Sequence, residues 1–283
     1  MATNFKLDFI TIKGRDDPRL TAYNSLKGKS LEREGIFIAE GEKVVKSMVE
    51  AGCRIESCLT ASGATTRYKL LLTAIAKRGA HVYAAADKLI EEIIGFRFHK
   101  GIMAVGYCPK KFTVSDVLKT PEGPLFLVAL NAINDPQNVG LIARNAAAFG
   151  AGALIVDNTT YDPYYRKAVR VSMGAIFRLP VCYEDDLESS LVMLKKKYDT
   201  RIIAATLGRG TSDIAKVDLS GNICLVFGNE DKGVSRRVLS IADARVRIPI
   251  SKAIDSLNVA SASAVCLYEA SRCRSGAKIG RCP

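Results

Sequence analysis

One arginine stands out in this sequence because the residues around it carry no charge. Between Pro136 and Val156, Arg144 is the only charged residue. On a helix that starts near Asn138, its neighbours at three and four positions are small or apolar. An arginine in such surroundings lines a pocket, joins an interface, or extends along apolar surface towards water. With Asn138 as a helix N-cap, the helix N-terminus and Arg144 together suit a phosphate.

A second segment that could take part in catalysis or binding is ICLVFGNEDKGVS, residues 223–235. An apolar strand here is predicted to end in Gly228, and Glu230 follows in a glycine-bounded turn before an N-cap at Ser235. Glycine lets a ligand or another backbone approach closely. Glu230 is a candidate general base or hydrogen-bond acceptor. The structural alternative is an acidic residue that the dipole of the next helix favours.

The third segment is RIPISKAIDSLNVASASAVCLYEA, residues 247–270. Ser256 is the predicted N-cap of a helix that is rich in Ser and Ala through residue 264. Small side chains let helices pack closely, either within one fold or across a dimer. A tightly packed core helix remains compatible with a site at Ser256 and Asn258.

The second half of the chain is predicted to alternate between strands and helices, which would position these three segments. Predicted strands are 125–130, 153–157, 201–206, 223–227 and 244–250, and predicted helices are 138–149, 163–173, 187–198 and 256–272. Short apolar strands separated by helices predict a parallel sheet covered on both faces. Ligands of such sheets bind at the carboxyl ends of the strands.

The first half predicts a smaller α/β domain. Its helical patterns cover 40–51 and 68–78, and its strands cover 55–59, 81–84 and 102–107. The proline-rich stretch that follows is typical of a linker. A length of 283 residues also suggests two domains. The predicted organisation is a domain at 1–112, a linker at 113–122, a second domain at 123–272 and a polar tail at 273–283.

Composition narrows the function classes. The net charge of +12 favours a polyanionic partner, although a merely basic protein is an equally good interpretation of charge alone. The eight cysteines include no C-x-x-C pair, and the two histidines are His81 and His99. This pattern argues against a metal site and against Ser-His-Asp or Cys-His hydrolases. The apolar runs fall short of the ~18 residues of a membrane span, and no signal peptide is evident. We therefore expect a cytoplasmic protein with no membrane association.

Two glycine patterns do not fit nucleotide-binding motifs. FGAGALIVD contains G-x-G, but the glycines precede the strand instead of following it. Residues 228–233 have the glycine spacing of a P-loop, but Val234 occupies the position of the required Lys.

Taken together, the three segments resemble the three motifs of the SpoU (TrmH-like) family of SPOUT RNA methyltransferases. The matching stretches are NAINDPQNVGLIAR at 131–144, FGNEDKGVS at 227–235, and IPI followed by SLNV within 248–259. The first half more weakly resembles the substrate-binding domain, similar to ribosomal protein L30e, that often precedes such domains. Its marks are REGIFIAEGEKVV at 33–45 and HKGIMAV at 99–105, where Lys100 replaces the usual Gln.

The resemblance implies a deep trefoil knot near the C-terminus, S-adenosylmethionine as the methyl donor with S-adenosylhomocysteine as product, no metal, and an obligate homodimer. The implied activity is 2′-O-methylation of RNA ribose, of 23S rRNA more than of tRNA. By motif position, the implied catalytic residues are Asn138, Arg144, Glu230, Ser256 and Asn258. The implied cofactor contacts are Thr206, Leu207, Gly208, Gly228, Asn229, Ile248, Ile250 and Leu257.

The resemblance also implies a role for Arg144 in the reaction. In the family the matching arginine is proposed to deprotonate the ribose hydroxyl with help from an RNA phosphate. Because an arginine is normally cationic, a fork that clamps the phosphate is the more conservative role. The basic run YYRKAVR adds Arg166, Lys167 and Arg170 as predicted phosphate contacts, with a solvated helix face as the alternative. The alternative function is a non-catalytic RNA-binding or ribosome-assembly protein with the same fold.

Overall fold

The chain folds into two compact units, seen in a computed structural model that describes residues 7–24, 26, 31–118, 123–208, 210–251 and 253–274. The first unit comprises Met1–Pro109 and Tyr164–Phe177, and the second comprises Lys110–Pro163 and Arg178–Pro283. Part of the predicted linker, 119–122, and most of the predicted tail, 275–283, lie outside the described residues.

The strands and helices are numbered in chain order. The strands are β1 (Ile10–Thr11), β2 (Ile36–Glu40), β3 (Ile55–Ala61), β4 (His81–Ala85), β5 (Ile102–Tyr107), β6 (Phe126–Asn131), β7 (Ala153–Asp157), β8 (Val181–Glu184), β9 (Arg201–Ala205), β10 (Ser212–Asp213), β11 (Ile223–Gly228) and β12 (Ala244–Arg247). The α-helices are α1 (Glu42–Glu50), α2 (Lys69–Ala76), α3 (Asp87–Ile94), α4 (Val114–Val117), α5 (Pro136–Ala148), α6 (Arg166–Val171), α7 (Leu187–Tyr198), α8 (Arg236–Ile241) and α9 (Val259–Arg274).

The first unit is built on a mixed sheet. Across the ranges described, its strand order is β1-β4-β3-β5-β2, with β5 antiparallel to both of its neighbours. One face packs against α3 through Ile90, Ile93 and Ile94. The amphipathic helix α1 buries Val44, Val45 and Met48. The predicted small α/β architecture of the first half is therefore present.

Residues 164–177 belong to the first unit, although the sequence places them between strands of the second. Phe37 of β2 lies with its ring centroid 5.5 Å from that of Tyr164 and 5.0 Å from that of Phe177. Ser47 of α1 donates a hydrogen bond to the carbonyl of Gly174, 127 positions further along the chain. Because these partners are so far apart in sequence, periodicity within the segment did not reveal them.

The second unit contains the predicted parallel sheet. Its order in the described chain is β10-β12-β9-β11-β6-β7-β8, and each neighbouring pair is parallel. Helices α4, α7 and α8 contribute to a core on one face of the sheet. Helix α5 contacts β7, α9 contacts β11, and the two helices pack against each other. The prediction of an α/β fold with a mostly parallel sheet is confirmed.

Part of the predicted linker is folded into the second unit. Thr113 caps α4 in a capping box with Asp116. Val114 and Leu118 are buried in the second core, and Phe112 forms a bridge with Cys182. The stretch 109–124 holds three prolines and was interpreted as a linker, but its apolar residues Val114 and Leu118 belong to the core of the second unit.

Two predicted helix starts were wrong and one is confirmed. Helix α5 begins earlier than expected, with Asp135 as its N-cap, so Asn138 lies inside the helix. Helix α9 begins at Val259, where the Asn258 Oδ1 atom accepts from the amide of Ala260 at 2.9 Å. Ser256 therefore lies before the cap and is exposed. Ser235 is the N-cap of α8, as predicted.

Candidate active site

A cavity of about 520 Å³ opens in the second unit at the carboxyl ends of three adjacent strands. Its walls come from the segments that follow β9, β11 and β12 and from the start of α9. The predicted strand 244–250 ends at Arg247, so the next residues are free to turn into this wall. A parallel sheet places its ligands at this edge because the loops after its strands converge there.

Seven of the eight predicted cofactor residues line this cavity. They are Thr206, Leu207, Gly228, Asn229, Ile248, Ile250 and Leu257. The eighth, Gly208, follows Leu207 in the chain but is not part of the lining. The strand order therefore brings positions from three separate segments of the chain to one wall.

Gly228 allows the cavity wall to form because it has no side chain. A Cβ atom built there would lie 2.2 Å from the amide nitrogen of Val234 and 2.3 Å from the carbonyl carbon of Gly233. Real Cβ atoms do not approach backbone so closely. The loop 229–233 thus folds back directly onto the end of β11, and the Gly233 amide donates to the Asn229 carbonyl at 2.9 Å.

Asn229 fixes the shape of this loop. Its Oδ1 atom accepts from the amides of Asp231 and Lys232, both at 3.0 Å. Its Nδ2 atom donates to the carbonyl of Ala132 at 2.8 Å. Since Asn229 is buried, these bonds satisfy its polar atoms and tie the second motif to the first.

Three predicted catalytic residues form one hydrogen-bonded chain. Asn138 donates from Nδ2 to Glu230 Oε1 at 2.8 Å. The Oδ1 atom of Asn138 accepts from Asn258 Nδ2 at 3.0 Å. Glu230 and Asn258 line the cavity, whereas Asn138 supports them from α5. These hydrogen bonds link all three sequence motifs.

The carboxylate of Glu230 is occupied by donors. Besides Asn138, the backbone amides of Asn134 and Asp135 donate to its two oxygens at 3.2 and 3.3 Å. These three donors already engage both oxygens of the carboxylate. The geometry therefore favours Glu230 as the acceptor that holds the segment before α5, rather than as a general base.

We expect Glu230→Gln to destabilise the second unit by about 1–2 kcal/mol, because the new amide turns a donor towards groups that are themselves donors. Urea unfolding followed by circular dichroism measures this change. Asp231→Asn is the matched control, since that neighbouring exposed carboxylate accepts no hydrogen bond from a described residue. Equal effects of the two substitutions would contradict the role given to Glu230.

Arg144 lies outside the cavity lining of its own chain. Its side chain is exposed on α5, and no described residue forms an ion pair or hydrogen bond with it. The next residue, Asn145, donates to the Ala260 carbonyl at 2.9 Å and to Ser263 Oγ at 3.0 Å. Helix α5 is thereby held against α9, and Arg144 is left as an uncompensated charge at the surface.

The predicted RNA-binding residues Arg166, Lys167 and Arg170 lie on α6 in the first unit. Arg166 is 21% exposed and pairs with Glu40 at 3.1 Å. Its guanidinium carbon also lies 4.6 Å from the ring centroid of Phe96. Burial lowers the pKa of Arg166, while Glu40 opposes this shift. The pair gives Arg166 a structural role, and the more exposed Arg170 approaches Glu40 only to 3.9 Å.

Sequence reasoning missed a second polar network beside the first motif. The buried Asp157 accepts from Asn131 Nδ2 at 2.8 Å and from the amide of Ala132. Asn131 Oδ1 in turn accepts from the Ser235 amide at 2.8 Å. Ala132 has a φ of +61°, a conformation that non-glycine residues seldom adopt. The available signal was an aspartate that ends an apolar strand, ALIVD.

Cys266 lines the cavity, but its thiol is not suited to act as a nucleophile. Burial, with a smaller effect of Glu269, raises the pKa of this thiol to about 12. The thiol therefore stays protonated at neutral pH and is a poor nucleophile.

In the part of the chain that the structure describes, His, Cys, Asp and Glu side chains do not gather in groups of three that could hold a metal ion. Among the described helices, none combines the length and the hydropathy that a bilayer crossing requires.

Comparison with known proteins places the site in a family. The model of the SpoU rRNA Methylase family matches residues 125–268. An uncharacterized tRNA/rRNA methyltransferase of Mycobacterium tuberculosis is 33% identical over 97% of this chain and 95% of its own length. The 23S rRNA (guanosine-2′-O-)-methyltransferase RlmB of Acinetobacter baylyi is 31% identical over 70% of this chain and 81% of its own.

A solved structure shares the architecture as well. The crystal structure of an AdoMet-bound rRNA methyltransferase from Sinorhizobium meliloti has a TM-score of 0.81 and 26% identity to this chain. It covers 93% of this chain and 98% of its own. The family match spans the whole second sheet and all three motifs. The chain therefore belongs to the SpoU rRNA methylase family.

Proposed function

We propose that this protein is an RNA ribose 2′-O-methyltransferase that uses S-adenosylmethionine as its methyl donor. The observation that carries the proposal is the chain of Glu230, Asn138 and Asn258, which joins the three motifs at the wall of one cavity. The relatives support it, because RlmB is named for guanosine 2′-O-methylation of 23S rRNA. The S. meliloti structure is described as AdoMet-bound.

The cavity fits such a donor in size and chemistry. Its volume of about 520 Å³ is within the usual range for small-molecule sites. Leu207, Ile248 and Ile250 supply apolar surface for an adenine, and the bare backbone at Gly228 permits close approach. We assign cofactor binding to Thr206, Leu207, Gly208, Gly228, Asn229, Ile248, Ile250 and Leu257. When bound, the donor would supply an electrophilic methyl group. Its sulfonium sulfur would leave as a neutral thioether, a good leaving group without help from a metal.

The residues of this chain would position the acceptor. A ribose hydroxyl is a weak acid, so orientation and help with its proton are needed. We assign Arg144 to clamp an adjacent RNA phosphate with its planar fork and so orient the hydroxyl. Glu230 and Asn258 hold the loops around the cavity, and we assign Ser256, which lines the cavity, to contact the substrate.

A homodimer would bring Arg144 to a cavity. We propose that two copies associate through α5 and α9, so that Arg144 of one copy serves the cavity of the other. The exposed apolar residues Val265 and Tyr268 lie three positions apart on α9, and Tyr268 contacts Phe149 edge-on. The deep trefoil knot implied by the motifs is part of the same proposal.

We expect Tyr268→Glu to convert the protein to monomers and to reduce methyl transfer at least about tenfold, because a buried unpaired carboxylate opposes association. Light scattering gives the mass and tritium transfer gives the activity. Tyr161→Glu is the matched control, since Tyr161 and Tyr268 are both 44% exposed. A dimer that persists in Tyr268→Glu would contradict the assigned interface.

The substrate proposed is rRNA, with 23S rRNA favoured and tRNA as the less favoured substrate, in the cytoplasm. The test is transfer of tritiated methyl groups to rRNA and tRNA purified from cells that lack the protein, followed by mapping of ribose methylation. Labelled ribose in 23S rRNA is the expected result. Binding of RNA without any transfer would instead favour the non-catalytic alternative.

The RNA contacts predicted on α6 remain part of this proposal. We expect the double change Lys167→Glu and Arg170→Glu to weaken RNA binding and flatten its salt dependence, since fewer phosphates are neutralised. Filter binding between about 50 and 200 mM salt measures the slope. An unchanged slope would leave α6 as a structural helix of the first unit.

A further inference from the structure

The first unit contains a second cleft, of about 510 Å³, that no sequence motif indicated. It lies at the end of the sheet where β3 and β4 begin and β5 ends, and it is lined by Arg54, Arg78, His81 and Tyr107 among others. Glu40, the partner of Arg166, lies at the opposite end of β2, because Ile36 pairs with Tyr107 and Glu40 with Met103. The cleft is thus separate from the basic residues of α6.

Arg54 and the ring of Tyr107 form a flat platform in this cleft. The guanidinium carbon of Arg54 lies 4.3 Å from the ring centroid, which is direct contact of a cation with an aromatic face. The backbone supports this arrangement, since the Tyr107 amide donates to the Arg54 carbonyl at 3.0 Å. Arg54 is exposed, so one side of its guanidinium remains open to a ligand.

The two arginines in the lining of the cleft outnumber its single carboxylate, Glu56. Neither Arg54 nor Arg78 has a carboxylate partner among the described residues. Other arginines of the same unit are paired, as Arg67 is with Glu42 at 2.9 Å. The carboxylate of Glu56 is partly exposed and can accept a hydrogen bond from an N–H group of a base.

We propose that this cleft holds one unpaired nucleotide of the RNA substrate. The base stacks on the platform of Arg54 and Tyr107, Glu56 accepts from an N–H group on the Watson–Crick edge of the base, and Arg78 with His81 contacts the flanking phosphate. Arginine planes and aromatic rings are the surfaces on which proteins stack unpaired RNA bases. The inference rests on the proposed function, in that the ligand is the RNA to be methylated.

The test uses the full-length protein and a single-stranded oligouridylate that contains 4-thiouridine. The double variant Arg54→Ala, Arg78→Ala is expected to bind the oligonucleotide at least about tenfold more weakly, because the variant can neither stack the base nor hold the phosphate. The salt slope should fall by about 0.7 for each phosphate that the variant no longer neutralises. Photo-crosslinks of the unaltered protein should map to the peptide that contains Tyr107.

Arg33→Ala is the matched control, because Arg33 is exposed on the same unit and lies outside the cleft. It should leave affinity unchanged, and both variants should bind S-adenosylmethionine normally in calorimetry. Unchanged RNA affinity in the double variant, or crosslinks confined to other peptides, overturns the inference and leaves the cleft to a protein partner or to no ligand.

The same experiments separate this inference from the proposed function. A higher KM for 23S rRNA in the double variant, with kcat retained, supports both the cleft and the proposed function. An unaltered KM for methylation overturns the cleft alone. Crosslinking at Tyr107 by a protein that methylates no RNA overturns the proposed function and keeps the cleft as an RNA site.

Discussion

Replacing Arg144 with alanine is expected to lower methyl transfer by at least about a hundredfold while leaving donor affinity within about twofold. The loss follows from removing a charged fork that acts on the phosphate and the developing negative charge, a contribution commonly of this size. Donor affinity should persist because Arg144 is not part of the cavity lining. Single-turnover transfer of tritium and calorimetry of S-adenosylmethionine binding measure the two quantities.

Two further variants sharpen this test. Arg144→Lys keeps the charge but loses the planar fork, so we expect only partial recovery of the rate. Arg236→Ala removes an exposed arginine from α8 of the same unit and should have little effect. Weaker donor binding together with a normal rate at saturating donor in Arg144→Ala would show that the arginine serves the cofactor and not the RNA.

Gly228→Ala is expected to weaken donor binding by at least about a hundredfold, which also removes activity. The added methyl would lie 2.2 Å from a backbone nitrogen, so the loop 229–233 must move away from β11. That loop forms a wall of the cavity and carries Glu230, whose bonds to the segment before α5 would break. We also expect about 1–3 kcal/mol of lost stability, the usual cost of forced overpacking.

The natural control for this change is Gly152→Ala in the same unit. A Cβ there would meet its nearest atom, the Phe126 carbonyl oxygen, at 3.7 Å, which is ordinary contact. Calorimetry and urea unfolding should therefore show a near-normal protein. If Gly228→Ala bound the donor as well as Gly152→Ala does, the cavity would not be the donor site.

The second sheet was predictable from the sequence because its strands are short, apolar and separated by helices. The predicted strand 153–157 has the bounds of β7, and the predicted helix 187–198 those of α7. Strand β8 was missed because it is short, and helix α8 was indicated only by its N-cap, Ser235. Helix starts were less accurate, since neighbouring polar residues compete for the cap, as Asp135 does with Asn138.

The candidate site was predictable in its members but not in its bonds. Motif spacing singled out Glu230, Asn138 and Asn258, but their mutual hydrogen bonds depend on strand order. The interpretation of α6 as a basic RNA-binding face shows the same limit. Glu40, which pairs with Arg166, lies 126 positions away in the chain. The sequence around Arg166 therefore could not reveal that this arginine forms an ion pair with a buried carboxylate.

The assignment of residues 164–177 to the first unit has a consequence for biosynthesis. The ribosome must release Phe177 before that unit has all of its parts. Until then Phe37 lacks two of its aromatic neighbours, and the buried Glu40 lacks its counterion. Domains usually fold in order as they emerge from the exit tunnel. Here the first unit is complete only after residues 164–177 have been made, and these lie between strands of the second unit in the sequence, so we expect the two units not to fold strictly one after the other during translation.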